Sequence, residues 1–168
     1  MRQLNAPAFA GDDGLAEPSV RRVLSTAVTR PGVPSYLAAV AELCLTRLLV
    51  PIVALATEHA ADGADQSSEM AVVLLRSAER TALPTFTGLD ALQAWDGKAR
   101  PTPVTIDVAA RSAVADGADT LLIDLAGPFP LVIEGEVLEH LAAGHRLLRL
   151  DGGGFGWALP RPTADAEM

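Results

Sequence analysis

The chain has 168 residues, 49% hydrophobic and 20% charged, with a formal net charge of −8. That length suits one domain able to bury roughly 70% of the surface its unfolded form exposes, and the composition is too apolar for a disordered chain. The acidic balance argues against a nonspecific nucleic-acid binder and against electrostatic attachment to anionic lipid.

The charge is uneven along the chain. Residues 18–50 carry Arg21, Arg22, Arg30 and Arg47 against Glu42 alone, whereas residues 51–168 hold eight basic and seventeen acidic side chains. A single cysteine, Cys44, makes no internal disulfide and fits a reducing compartment. The longest apolar run, LLVPIVALA, contains a proline and is too short to span a bilayer, and the first residues lack the apolar core of a signal peptide. These features predict a cytoplasmic protein without nucleic-acid or membrane partners.

Residues 1–17 and 160–168 read as frayed tails around one domain, 18–159. Ser19 is the expected cap of a first helix, in which Val20, Val23, Leu24, Ala27 and Val28 form the apolar stripe and Arg21 and Arg22 lie opposite. After Pro31-Gly32, Ser35 is expected to cap a second helix over 36–45. Residues 47–57 are apolar on both alternating faces, the pattern of a buried strand, with Pro51 expected at its start or on a sheet edge. A polar loop follows over 58–68. Strands at 70–76 and 82–86 are then expected to form a hairpin around 77–80.

Thr87 and Asp90 have the spacing of a capping box, in which hydroxyl and carboxylate satisfy the free N–H groups of a helix start. Leu89, Leu92 and Trp95 share one face of that helix, which Asp96-Gly97 ends. A strand at 103–106, a helix capped by Asp107 and ended by Gly117, strands at 120–125 and 131–134, a helix over 136–143 with Gly144 as its end, and a final hairpin of 146–150 with 155–159 complete the series. Helices alternate with strands, but hairpins interrupt the alternation. The fold class predicted is α/β or α+β: a single domain with a mixed β-sheet and packed helices, preceded by two N-terminal helices.

Chemistry-bearing residues are few. Glu58, His59 and Asp62 would approach one another only on a helix, and a solvated loop explains them. His140 and His145 are five apart across Gly144, not the four that share a helical face, so each reads as a separate group near a helix end. Cys44 reads as a buried, inert thiol. The run Gly152-Gly-Gly-Phe-Gly156 lacks the Lys-Ser/Thr of a phosphate loop and reads as a hairpin turn. No Gly-x-Ser-x-Gly elbow is present. The strongest candidate is a small anion or carboxylate pocket joining Ser67, Ser68 and Glu69 to Phe86, Thr87 and Trp95, with a helix start supplying N–H groups.

The segments LLVPIVALATE, QSSEMAVVLL, ALPTFTGLDALQAW, RPTPVTI and IDLAGPFPLVIEGEVLEHLAAG resemble, in that order, the N-terminal domain of the SseB family, which is named for a serine-sensitivity trait. The resemblance covers about residues 20–145. It implies a cytoplasmic bacterial α/β domain with no established activity and brings no catalytic residues. Where relatives have a basic residue before Ser-Ser-Asp-Met, this chain has Gln66 and Glu69; where others have Asn-Pro-Gly, it has Asp124-Leu-Ala-Gly-Pro128. Three functions are weighed. The first is a non-enzymatic interaction or regulatory module without cofactor or metal, presenting Arg21 and Arg22 to an acidic protein partner. The second is a binder of an amino acid or another small carboxylate. An enzyme has the least support.

Overall fold

A computed structural model describes residues 9–55 and 69–161. Helices α1 (Pro18–Thr29) and α2 (Val33–Leu43) come first, followed by strand β1 (Arg47–Leu55). The apolar stripe of α1 faces inward along Val20, Val23, Leu24 and Ala27, with Val20 and Leu24 no more than 1% exposed, whereas Val28 in the last turn is 44% exposed. The caps differ from expectation. Glu17 precedes α1, and Pro18 takes the first turn, where its fixed φ fits and its missing N–H costs nothing. Gly32 precedes α2, and the Ser35 hydroxyl bonds the Arg30 and Gly32 carbonyls instead of capping.

The remaining elements are β2 (Glu69–Val72), β3 (Leu75–Arg76), β4 (Thr81–Thr85), α3 (Leu89–Trp95), β5 (Arg100–Thr105), α4 (Ile106–Ala115), β6 (Thr120–Ile123), β7 (Leu131–Glu134), α5 (Gly135–Ala142), β8 (Arg146–Arg149) and β9 (Phe155–Ala158). The fold is α+β. One antiparallel sheet has the order β2-β1-β5, and a mixed sheet has the order β3-β4-β6-β7, with β4 and β6 parallel. Leu49 and Phe86 exchange both backbone hydrogen bonds and join the two sheets; β8 and β9 form a separate hairpin.

Pro51 sits within the central strand β1, neither at its start nor on an edge. The register explains how. Pro51 faces Pro101 of β5, and the Pro51 carbonyl accepts from Val73 N–H on the other side, so this β1–β5 rung uses no donor from either proline. Pro103 faces Leu49, whose backbone bonds Phe86 and not β5, so Pro101 and Pro103 turn their vacant positions to the outer edge of β5. The strand expected over 70–76 is split between the two sheets: β2 pairs with β1 and β3 with β4. Only β3 and β4 form the expected hairpin.

Alternation along β1 serves two cores. Leu48 and Val50 join Leu24, Leu43, Leu83, Ile123 and Ile133 in the larger one, and Leu49 joins Phe86, Ala91 and Leu92 in the smaller. Over Leu48–Val50, β1 therefore buries both faces. The β4–β6 strand ends, and what covers them, define the site below.

Candidate functional site

In open sheets with parallel strands, ligands collect beyond the carboxyl ends of those strands. Here β4 and β6 run parallel with Thr85 beside Ile123, so their next residues, Phe86-Thr87-Gly88 and Asp124, share one end. Asp124 adopts φ +49°, a left-handed conformation that a short polar side chain tolerates, and its carbonyl accepts from Gly127 N–H at 2.7 Å to close the turn. Its carboxylate is thereby aimed at Thr87.

Both residues are 2% exposed. The Thr87 N–H donates to Asp124 Oδ1 at 2.8 Å, and its hydroxyl donates to Oδ2 at 2.6 Å. The same hydroxyl accepts from Arg21 Nε of α1 at 2.9 Å, while Arg21 Nη2 donates to Asp90 Oδ1 at 2.7 Å. Arg21 Nε lies 3.6 Å from Asp124 Oδ2, so one guanidinium answers two carboxylates. Thr87 is thus not the cap of α3. Gly88 holds that position with extended backbone, and Asp90 turns to Arg21. The capping-box spacing placed the right pair at the junction and assigned them the wrong partners.

A second arginine closes the junction from the other side. Arg47, at the start of β1, donates from Nη1 to the Thr87 carbonyl, from Nη2 to the Leu15 carbonyl, and to both Asp12 oxygens. The Gly14 carbonyl accepts from Leu89 N–H at 2.8 Å. Residues 12–15, which composition had placed in a frayed tail, are tied down. Gly88 is also closely approached: a Cβ there would lie 2.7 Å from Asp90 Oδ1 and 2.8 Å from the Ala16 nitrogen.

Burial pushes the Asp124 carboxyl above the ordinary range, although the Thr87 donors and Arg21 pull against it. Burial would also raise Asp90, but the Arg21 hydrogen bond, with local backbone N–H groups, outweighs it and holds Asp90 low. The Arg47 hydrogen bond holds Asp12 low. A hydroxyl against a carboxylate has the composition of a nucleophile and its base. In this arrangement Arg21 occupies the acceptor side of the Thr87 hydroxyl and solvent barely reaches it.

The other sequence candidates separate. Phe86 is fully buried in the smaller core, where its ring lies 5.5 Å from the half-buried Trp95. Ser67 and Ser68, with the loop that holds His59, lie outside the described residues. Glu69 opens β2 opposite Leu55, six residues along β1 from the Leu49–Phe86 bridge, roughly 20 Å at the rise of a strand. The register therefore keeps Glu69 away from Thr87. Arg21 is half-buried in the junction, bonded to Thr87 and Asp90; Arg22, beside it, is exposed. Asp124, Arg47 and Asp12 are the residues that sequence reasoning missed as site members. The one available signal was the Asp124-Leu-Ala-Gly-Pro128 turn.

Residues 20–140 match the SseB protein N-terminal domain. The chain belongs to the SseB family. No curated protein and no solved structure matches it. In this SseB domain the matched span begins at Val20, takes in Arg21, Arg47, Thr87, Asp90 and Asp124, and stops before the β8–β9 hairpin. Among the described residues no helix is long and apolar enough to cross a membrane, and no group of three His, Cys, Asp or Glu side chains is arranged to hold a metal ion.

Proposed function

We propose that this SseB-family domain is a non-enzymatic interaction or regulatory module that works in the cytoplasm. One observation carries the reading: the charged groups at the carboxyl ends of β4 and β6, where a substrate would sit, are consumed by one another and covered by α1 and residues 12–15. Of the groups near the small-carboxylate site, the Thr87 hydroxyl is taken by Arg21 and Asp124.

The outer face of α1 is the surface for a partner. Arg22 and Arg30 are exposed there on a protein of net charge −8, and Val28 and Val33, 44% and 70% exposed, flank the turn into α2. A cationic rim with exposed valines suits a protein partner with an acidic, partly apolar surface. A photo-crosslinking residue in place of Arg22 or Val28, introduced in living cells, should give a discrete protein adduct that the same residue at the exposed Lys98 does not. A thermal-shift panel of amino acids, organic acids and nucleotides should be silent. A saturable shift, worth about 2.7 kcal/mol at a hundredfold excess over Kd, would overturn the proposal in favour of a ligand binder.

A further inference from the structure

Helix α5 ends in a Schellman turn. Gly144, at φ +83°, carries the chain out of the helix; its N–H bonds the Leu141 carbonyl at 2.9 Å, and the His145 N–H bonds the His140 carbonyl at 3.0 Å. This turn folds the residue after the glycine back over the last helical turn, where an apolar contact usually forms. Here the contact is between two imidazoles, whose Nδ1 atoms are 2.8 Å apart. The expectation of two separate helix-end histidines is corrected. A spacing of five fails on a continuous helix and succeeds on one that has just ended.

A single proton fits on the line between the two Nδ1 atoms, so one ring donates and the other accepts. His140 is the better place for a positive charge. Its Nε2 faces Glu136 Oε1 at 3.7 Å, its ring stacks on Trp157 of β9 with centroids 4.5 Å apart, and it lies in the last turn of α5. His145 then accepts and stays neutral. Further charges near this corner include Asp107 and Arg111 of α4 and Arg146 of β8, which line a neighbouring cleft of about 320 Å³ with Gly144. Asp107 and Arg111 lie 3.6 Å apart, and β9 carries no charged residue. A second imidazolium would meet the first, with Arg146 next to it in the chain.

We propose that the His140–His145 contact is a one-proton latch between α5 and the β8–β9 hairpin, opened by a second proton in mildly acidic conditions. The hairpin has another, apolar anchor in Leu147, 2% exposed in the larger core, so the latch opens without unfolding the domain. The closed contact has room for one proton on the Nδ1–Nδ1 line, and a pair protonated at both Nδ1 atoms cannot close. Closure therefore weakens as pH falls, by about tenfold per pH unit while the second proton is being taken up.

Hydrogen exchange on the full chain, corrected for intrinsic rates, tests this. Between pH 7.5 and pH 5.0 the amides of residues 146–158 should exchange at least about tenfold faster, while those of α4 keep their protection. His145→Leu restores the usual apolar contact and should abolish the response while keeping the hairpin protected. Equal hairpin protection at both pH values, or a full response in His145→Leu, would overturn the latch. Should that variant not fold, imidazole ¹⁵N titration of the unmodified protein decides: two separate protonation steps support the latch, and one shared midpoint rejects it.

Discussion

Two polar contacts hold this domain's strands to its helices, and they are built differently. At the β4–α3 junction, two arginines and three aspartates each come from at least 35 residues away from the charge they meet, and each charge has an opposite within reach. At the α5–β8 corner, two histidines five residues apart share one proton. The first arrangement stays compensated near neutral pH. The second turns repulsive when both rings are charged. Distant partners bring complementary charges and make a lock; a local turn that brings like groups together makes a latch.

Arg21→Ala should give the largest loss, because it leaves the Asp124 carboxylate buried and takes the donor from the Thr87 hydroxyl. Breaking such a pair costs about 3 kcal/mol, read as a lower urea midpoint at pH 7. The pH dependence separates this from lost packing. Burial raises the folded-state Asp124 carboxyl above its unfolded value, so its contribution favours folding most when protonated and is lost as pH rises through the folded-state value. Without Arg21 that carboxyl rises further, so the deficit should narrow as the medium is acidified. A deficit independent of pH would mean that α1 is held by Val20 and Leu24 alone.

Gly88→Ala is expected next. Its backbone conformation suits any residue, so the cost arises from contact: the new Cβ meets the Ala16 backbone nitrogen, which cannot rotate away. Overpacking of this kind costs about 2 kcal/mol. The same thermal or urea measurement should show Gly97→Ala, in an open turn, nearly neutral.

The architecture was largely legible in the sequence, because periodicity reports which face is buried. The α1 stripe of Val20, Val23, Leu24 and Ala27 and the two apolar faces of β1 both lie where alternation placed them. The division of 69–76 between two sheets was not legible. Which strand Met70 or Leu75 joins depends on partners elsewhere in the chain, and Pro51 is tolerated because its missing N–H falls on the β2 side, beyond the last β1–β2 pair of Ile52 with Val72. The junction was half legible for the same reason. Local spacing flagged Thr87 and Asp90, but Arg21 and Asp124 reach Thr87 from 66 and 37 residues away, and no spacing rule connects them. The histidines failed in the opposite sense: the contact is local, but it obeys the geometry of a helix end.

The smallest expected effect tests how far the lock extends. Asp12 accepts from Arg47, which lowers its folded-state carboxyl below the unfolded value, so its contribution is present above the unfolded value and is lost as pH falls through the folded one. Asp12→Asn keeps the shape and removes the charge; at neutral pH the loss should be about 1 kcal/mol, confined to the segment before α1. The local probe is the Leu89 amide, whose partner is the Gly14 carbonyl. Its exchange should quicken in Asp12→Asn while the amides of β6 keep theirs. If instead the β6 amides quicken with it, the N-terminal segment and the buried Thr87–Asp124 pair form one cooperative unit. The lock would then reach from the surface at Asp12 to the core at Ile123, and a partner that moved residues 12–17 would act directly on the sheet.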